Sequence, residues 1–230
     1  LSLLKSKALF FTRADKFQDP FEGAKGLLKN KNRWDKFYID FLTEAIRTVP
    51  GGQNLSKSKK ELIGEAKKLL EQMNTSGARQ VKETFINCWY ESKYESEAMW
   101  KLYTSALDQG IAIKTTYKKL YLSLNRSPDI SIGKINYIDY NKNFAGINDS
   151  FWYKRKSFEH EREVRAVIKD FGATEEFGKV IPVKLEILID RVYLSPTSQS
   201  WFRELVEDVM IKYKLNKKIF VSDMNALPFH

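Results

Sequence analysis

Hydrophobic positions repeat with two different periods along this chain, and the change comes near residue 84. Leu1, Leu3, Leu4 and Leu9 continue an amphipathic pattern that is already under way at the first residue, so further chain is expected upstream. Residues 1–23 read as the end of a short helix, a strand over Ala8–Arg13 and a loop at Asp19 and Pro20. A helical insertion is predicted over residues 24–80. Phe37, Phe41 and Ala45 recur at helical spacing until Pro50, Gly51 and Gly52 end the pattern. Ser58 and Glu61 then form a capping box ahead of one apolar stripe, Leu62, Ile63, Ala66, Leu69, Leu70 and Met73.

Beyond residue 84, short β-rich runs alternate with helices. Residues 85–89 read as a strand, and Ser96 caps a helix that turns Met99, Trp100, Tyr103 and Leu107 inward and stops at Gly110. Further strands are predicted at residues 111–115, 134–140, 164–168, 180–185, 191–194 and 218–221. Ser200 opens a last helix with Trp201, Leu205, Val209 and Tyr213 on its inner face. Irregular or hairpin-length connections, with helices early and late, predict a single α+β domain over residues 1–230. Its mixed or antiparallel sheet should carry Ala8–Arg13 and residues 85–89, 111–115 and 164–168. The chain shows no internal repeat and no low-complexity tract. It also has neither a phosphate-binding loop nor a dinucleotide fingerprint, since Gly51 and Gly52 lack the lysine and the preceding strand that such a loop needs.

Composition narrows the surroundings. With 230 residues, 43% hydrophobic and 30% charged, the chain can bury one substantial core. No apolar run approaches the roughly 20 residues that span a bilayer, and no cleavable leader opens the sequence, so a cytoplasmic protein without membrane partners is expected. Cys88 is the single cysteine and reads as a small buried apolar residue rather than a nucleophile. A net charge of +10 favours an anionic partner: nucleic acid, a dinucleotide or an acidic protein. Much of the excess falls on solvated helix faces, at Lys57, Lys59, Lys60, Lys67 and Lys68 and again at Lys212, Lys214, Lys217 and Lys218.

Three segments carry candidate chemistry. In the run from Phe11 to Glu22, Arg13 shares a strand face with Leu9 and Phe11 and is placed to grip a phosphate or carboxylate; Thr12, Asp15 and Asp19 stand beside it, and Arg13 can equally staple the loop through Asp15 or Asp19. In the run from Phe158 to Ile168, Val164, Ala166 and Ile168 make one apolar face and turn Glu161, Glu163 and Arg165 to the other. Two carboxylates so close raise one another's pKa unless a cation such as Arg165 intervenes, which suits a general acid or base or an anchor for a sugar hydroxyl. Trp100 and Tyr103 can stack on a base or nicotinamide, or simply pack. His160 and His230 are isolated from cysteines and from each other, so no metal site and no Ser-His-Asp triad is expected.

In order and spacing, the run from Phe11 to Glu22, the helix of Met99, Trp100 and Tyr103 leading to Gly110, and the segment Glu161 to Arg165 resemble the bacterial domain-of-unknown-function family 2971. The resemblance covers nearly the whole chain, apart from the short Tyr-rich first strand with which members usually begin, which precedes Leu1 or is absent. That layout is similar in turn to ADP-ribosyltransferase-like proteins, several of them bacterial toxins or phage-defence effectors. The resemblance implies NAD as the ligand, Arg13 on its phosphates, Tyr103 against the nicotinamide, and Glu161 or Glu163 as the catalytic carboxylate. Nucleic acid or protein would be the target, within a defence or toxin system that can include a partner protein. Two alternatives stand beside it: a metal-dependent nuclease using Asp19, Glu161, Glu163 and Lys169, and a basic nucleic-acid-binding module without catalysis.

Overall fold

The computed structural model describes residues 1–48, 57–104, 109–172, 177–226 and 228–229. Pro50, Gly51, Gly52, Leu107 and His230 lie outside the described residues. The chain begins with helix α1 (Ser2–Ser6) and strand β1 (Ala8–Arg13), followed by helices α2 (Lys31–Thr48) and α3 (Lys59–Glu83). Strand β2 (Thr84–Tyr90), helix α4 (Glu97–Tyr103), strand β3 (Ile111–Lys114) and helix α5 (Tyr117–Ser123) come next, then β4 (Ile130–Lys134), β5 (Asn136–Ile138), β6 (Tyr153–Arg155) and β7 (Glu163–Lys169). The last part holds β8 (Gly178–Pro182), α6 (Leu185–Leu188), β9 (Arg191–Leu194), α7 (Ser200–Lys212) and β10 (Ile219–Val221).

The architecture is α+β. The principal sheet has the order β4-β7-β2-β1-β8 and is antiparallel throughout. A second sheet, β10-β9-β3, and a parallel pair, β5-β6, complete the strands. Strand alternation divides the principal sheet's residues between two cores. Leu9, Phe11, Phe85, Ala166 and Ile168 pack in the larger one with Leu194, Val206 and Met210. Ile86 and Val167 face the other way, onto Ala14 and Phe151. Among the described residues no helix is long and apolar enough to cross a membrane.

The region expected to be helical, residues 24–80, carries α2 and most of α3, and Ser58 and Glu61 make both bonds of the capping box. Several expectations are corrected. Residues 111–114 pair with β9 rather than joining the principal sheet, because strand propensity does not choose a partner and long-range packing does. Residues 134–140 split between β4 and β5, with Ile135 between them. The strand expected to reach residue 185 ends at Pro182, which has no N–H for a ladder, and Leu185 begins α6. Helix α2 buries Trp34 and leaves Phe37 and Phe41 exposed; α7 buries Val206 and Met210 and exposes Trp201 and Leu205. Thr116 caps the short α5, which apolar periodicity did not reveal.

Candidate functional site

Arg165 occupies the centre of β7, between Cys88 on β2 and Gly133 on β4. The loop carrying Glu22 and the segment carrying Phe151 cover its face of the sheet there, and Arg165 is fully buried. A charge in that position needs partners on every donor, since desolvation of an unpaired ion costs several kcal/mol. Glu22, from the loop after β1, grips the guanidinium at 2.5 and 2.8 Å. Glu163 accepts from Nε at 2.7 Å and from the second terminal nitrogen at 3.2 Å, and the Phe151 carbonyl takes a further bond at 2.7 Å. Gly133 keeps this region open: a Cβ there would lie 3.1 Å from the Trp152 ring.

Both carboxylates on Arg165 are buried, yet their pKa values move apart. Burial raises Glu163, but Arg165 and Lys154 outweigh it and hold this carboxyl below its usual range. Burial dominates at Glu22, whose pKa rises because Arg165 only partly offsets it. For Arg165, burial pushes downward and the two carboxylates push harder, leaving it above its usual value.

The second layer is built on Lys154 of β6. Its ammonium donates to Glu163 at 3.2 Å and also to Glu161. Burial lowers the Lys154 pKa, while the bond to Glu161 and the Glu163 and Glu161 charges raise it further than burial lowers it. Glu161 ends a 3-10 helix, Lys156–Glu161, and Arg162 then turns the chain in the left-handed region (φ 40°) before β7 begins at Glu163. That turn is what brings two carboxylates from different elements to one ammonium. The Glu163 backbone N–H donates to the Tyr137 hydroxyl at 2.7 Å and fixes the start of the strand. Next to it, Arg155 binds Asp19 at 2.7 Å while its guanidinium lies 4.7 Å from the Phe21 ring centre and 5.0 Å from that of Phe158. Asp19 Oδ2 and Arg155 Nε are buried without a hydrogen-bond partner among the described residues.

These groups line one side of a cleft of about 1540 Å³. Trp100 and Tyr103 of α4 line it too, with Trp100 Nε1 held by Glu95 at 3.0 Å and Tyr103 largely exposed. Cys88 is exposed in this cleft rather than buried as its apolar neighbours suggested; the protein around it and the Glu163 charge push its thiol pKa well up, so it is a poor nucleophile. Among the described residues, seven acidic and five basic side chains line the cleft, against a net +10 for the chain. The positive excess therefore lies elsewhere.

The structure brings Asp19, Glu161, Glu163, Trp100 and Tyr103 to the cleft, with Arg165 directly beneath it. It does not bring Thr12, Arg13 or Asp15 there. Arg13 stands opposite Phe85, which faces Ile168, whereas Glu163 stands opposite Tyr90, about 17 Å away along the sheet. Alternation also puts Arg13 on the other face, with Leu9 and Phe11, and Asp15 holds it at 2.6 and 3.0 Å. Lys169 lies at the far end of β7 from Glu163, about 20 Å off, and donates to the Asn148 carbonyl. Sequence reasoning missed Glu22, Lys154, Arg155 and Tyr137. A signal existed for Glu22: an arginine flanked by Val164 and Ala166 on a buried strand needs more than one carboxylate, and Glu22 sits in the same run as Asp19.

Among the described residues, no group of three or more His, Cys, Asp or Glu side chains is arranged to hold a metal ion. No protein-family model matches the chain, and no curated protein or solved structure matches it.

Proposed function

We propose that the cleft binds a nucleotide-type ligand, with NAD the candidate, and that it supports ADP-ribosyltransferase-like chemistry in a bacterial toxin or defence setting of the kind the family 2971 resemblance implies. The observation that carries this reading is the pair of carboxylates, Glu161 and Glu163, sharing Lys154 at the base of an aromatic-walled cleft. Glu161 is the more accessible of the two, with 23% of its side chain exposed against 5% for Glu163. It is assigned to the reacting ribose, where a carboxylate stabilises positive charge as the bond to nicotinamide breaks. Glu163 and Arg165 position it through Lys154. The unpartnered Asp19 Oδ2 and Arg155 Nε suit a hydroxyl, which donates to one and accepts from the other. Lys93, which lines the cleft without an ion-pair partner among the described residues, replaces Arg13 as the group for phosphate.

Purified protein incubated with NAD should release nicotinamide, measured by chromatography with and without chelator. Glu161→Gln should slow release by about a hundredfold or more with the fold intact. Absence of both NAD binding and nicotinamide release sinks the reading. Chelator-sensitive cleavage of nucleic acid would favour the nuclease instead, although the remoteness of Lys169 counts against it. A non-catalytic nucleic-acid-binding module is the second reading, supported by the positive excess outside the cleft. It expects salt-sensitive binding of RNA or DNA that cleft substitutions leave unchanged.

A further inference from the structure

Strand β3 ends its sheet, and the cleft lies along its far side. Seven consecutive residues from Gly110 to Thr116 line the cleft, so both strand parities meet it. A strand that presented only one face would contribute alternate residues. Exposure agrees: Ile111 is 51% exposed, while its cross-strand partner Leu194 is 1% exposed.

The ladder identifies which backbone groups look outward. The Ser195 N–H donates to the Gly110 carbonyl, which makes that pair a hydrogen-bonded one. Antiparallel alternation then gives Ala112 to Tyr193 and turns the N–H and C=O of Ile111 and Ile113 away from β9, toward the cleft. No strand among the described residues pairs with that edge. Thr115 Oγ1, just past the strand, is buried in the same wall without a hydrogen-bond partner.

We infer that the open edge of β3 takes up an extended polypeptide segment carrying basic side chains, added as one more strand. Unpaired strand edges are ordinarily covered or blunted, because they template pairing with other chains. This edge lies inside a concavity, where an extended segment fits and the flat edge of another folded protein does not. The cleft's volume exceeds the roughly 300–1,000 Å³ of a small-molecule site, so a bound nucleotide leaves room along β3. Charge selects the kind of segment. Among the described residues, acidic groups outnumber basic ones along the cleft, and Glu95 and Asp223 line it without a cationic partner. Backbone pairing supplies affinity in such a complex, and alternate side chains supply selectivity.

The test uses a fluorescein-labelled peptide of about eight residues, long enough to cover β3 and its flanks, in which valine and threonine alternate with lysine and arginine. Two derivatives carry N-methyl groups on one or the other alternating set of amides. A fourth peptide replaces the basic residues with glutamate. Fluorescence polarisation should show the basic peptide bound at least about tenfold more tightly than the acidic one, against the pull of the protein's overall +10 charge. One N-methyl set should weaken binding about tenfold and the other should not, because only one set faces β3. Ile111→Pro removes an outward N–H and should weaken binding similarly; if it unfolds the protein, the methylated peptides still decide. Tighter binding of the acidic peptide, indifference to both methyl sets, or concentration-dependent dimerisation that Ile111→Pro abolishes overturns the inference. Nicotinamide release is not read in this assay, so its outcome leaves the nucleotide reading where it stood.

Discussion

Arg13 and Arg165 are both strand arginines of the principal sheet, both buried, and both bonded to a carboxylate two residues away. Their surroundings separate them. Asp15 is partly open to solvent and belongs to the turn that follows β1, so its pair with Arg13 holds a loop end in place. Around Arg165, Glu163 is shared with Lys154, and Lys154 with the partly exposed Glu161 in the cleft wall. Burial and pairing alone therefore do not mark a site. A chain of shared charges that leads from the core to a concave surface does.

Substitutions can break this comparison, and the largest effect belongs to Arg165. Arg165→Met keeps the volume and leaves Glu22 and Glu163 buried without their common cation, which should cost about 3–5 kcal/mol in urea denaturation. A loss of only about 1–2 kcal/mol, the size expected for Arg13→Met, would make the two arginines equivalent. Glu163→Gln comes next, and its signature is pH. Because the folded-state pKa of Glu163 is depressed below the ordinary 4.5, its contribution to stability is complete above that value and disappears as pH falls through the folded pKa. The gap in melting temperature between wild type and Glu163→Gln should thus be widest near neutrality and close on acidification. Glu22 has the opposite sign, its raised pKa favouring the folded state as pH falls, so the Glu22→Gln gap should not close in the same way. Arg13→Met should have the smallest effect, about 1–2 kcal/mol, with ligand binding in the cleft unchanged. Loss of binding in this last variant with stability retained would return Arg13 to the site.

Local signals made part of this legible in the sequence. The Ser58 and Glu61 box, the strand over Ala8–Arg13 and the two-faced alternation from Val164 to Ile168 depend on neighbours within a few residues, and each is where the pattern puts it. What failed depends on distant contacts. Ile111 to Lys114 read correctly as a strand but not to which sheet it belongs, and Arg13 read correctly as facing Leu9 and Phe11 without any indication that this is the face opposite Glu163. Lys154 sits on a three-residue strand, too short for a period to show. Helix faces erred by a residue or so, as at Val206 and Met210, because several apolar side chains of α7 compete for the interior.

The fork between Arg165 and Glu22 also says something about the order in which the chain organises itself. Its partners are separated by 143 positions, and joining ends so far apart carries a closure entropy of about 4 kcal/mol beyond the constant term. Contacts of that span are slow to form, since the loop must close before its charges can repay it. The floor of the cleft is therefore expected to complete late in folding, since it needs β7 in place between β2 and β4. A partly folded chain holds Lys154, Glu161 and Glu163 near one another in sequence but has no completed surface on which to present them.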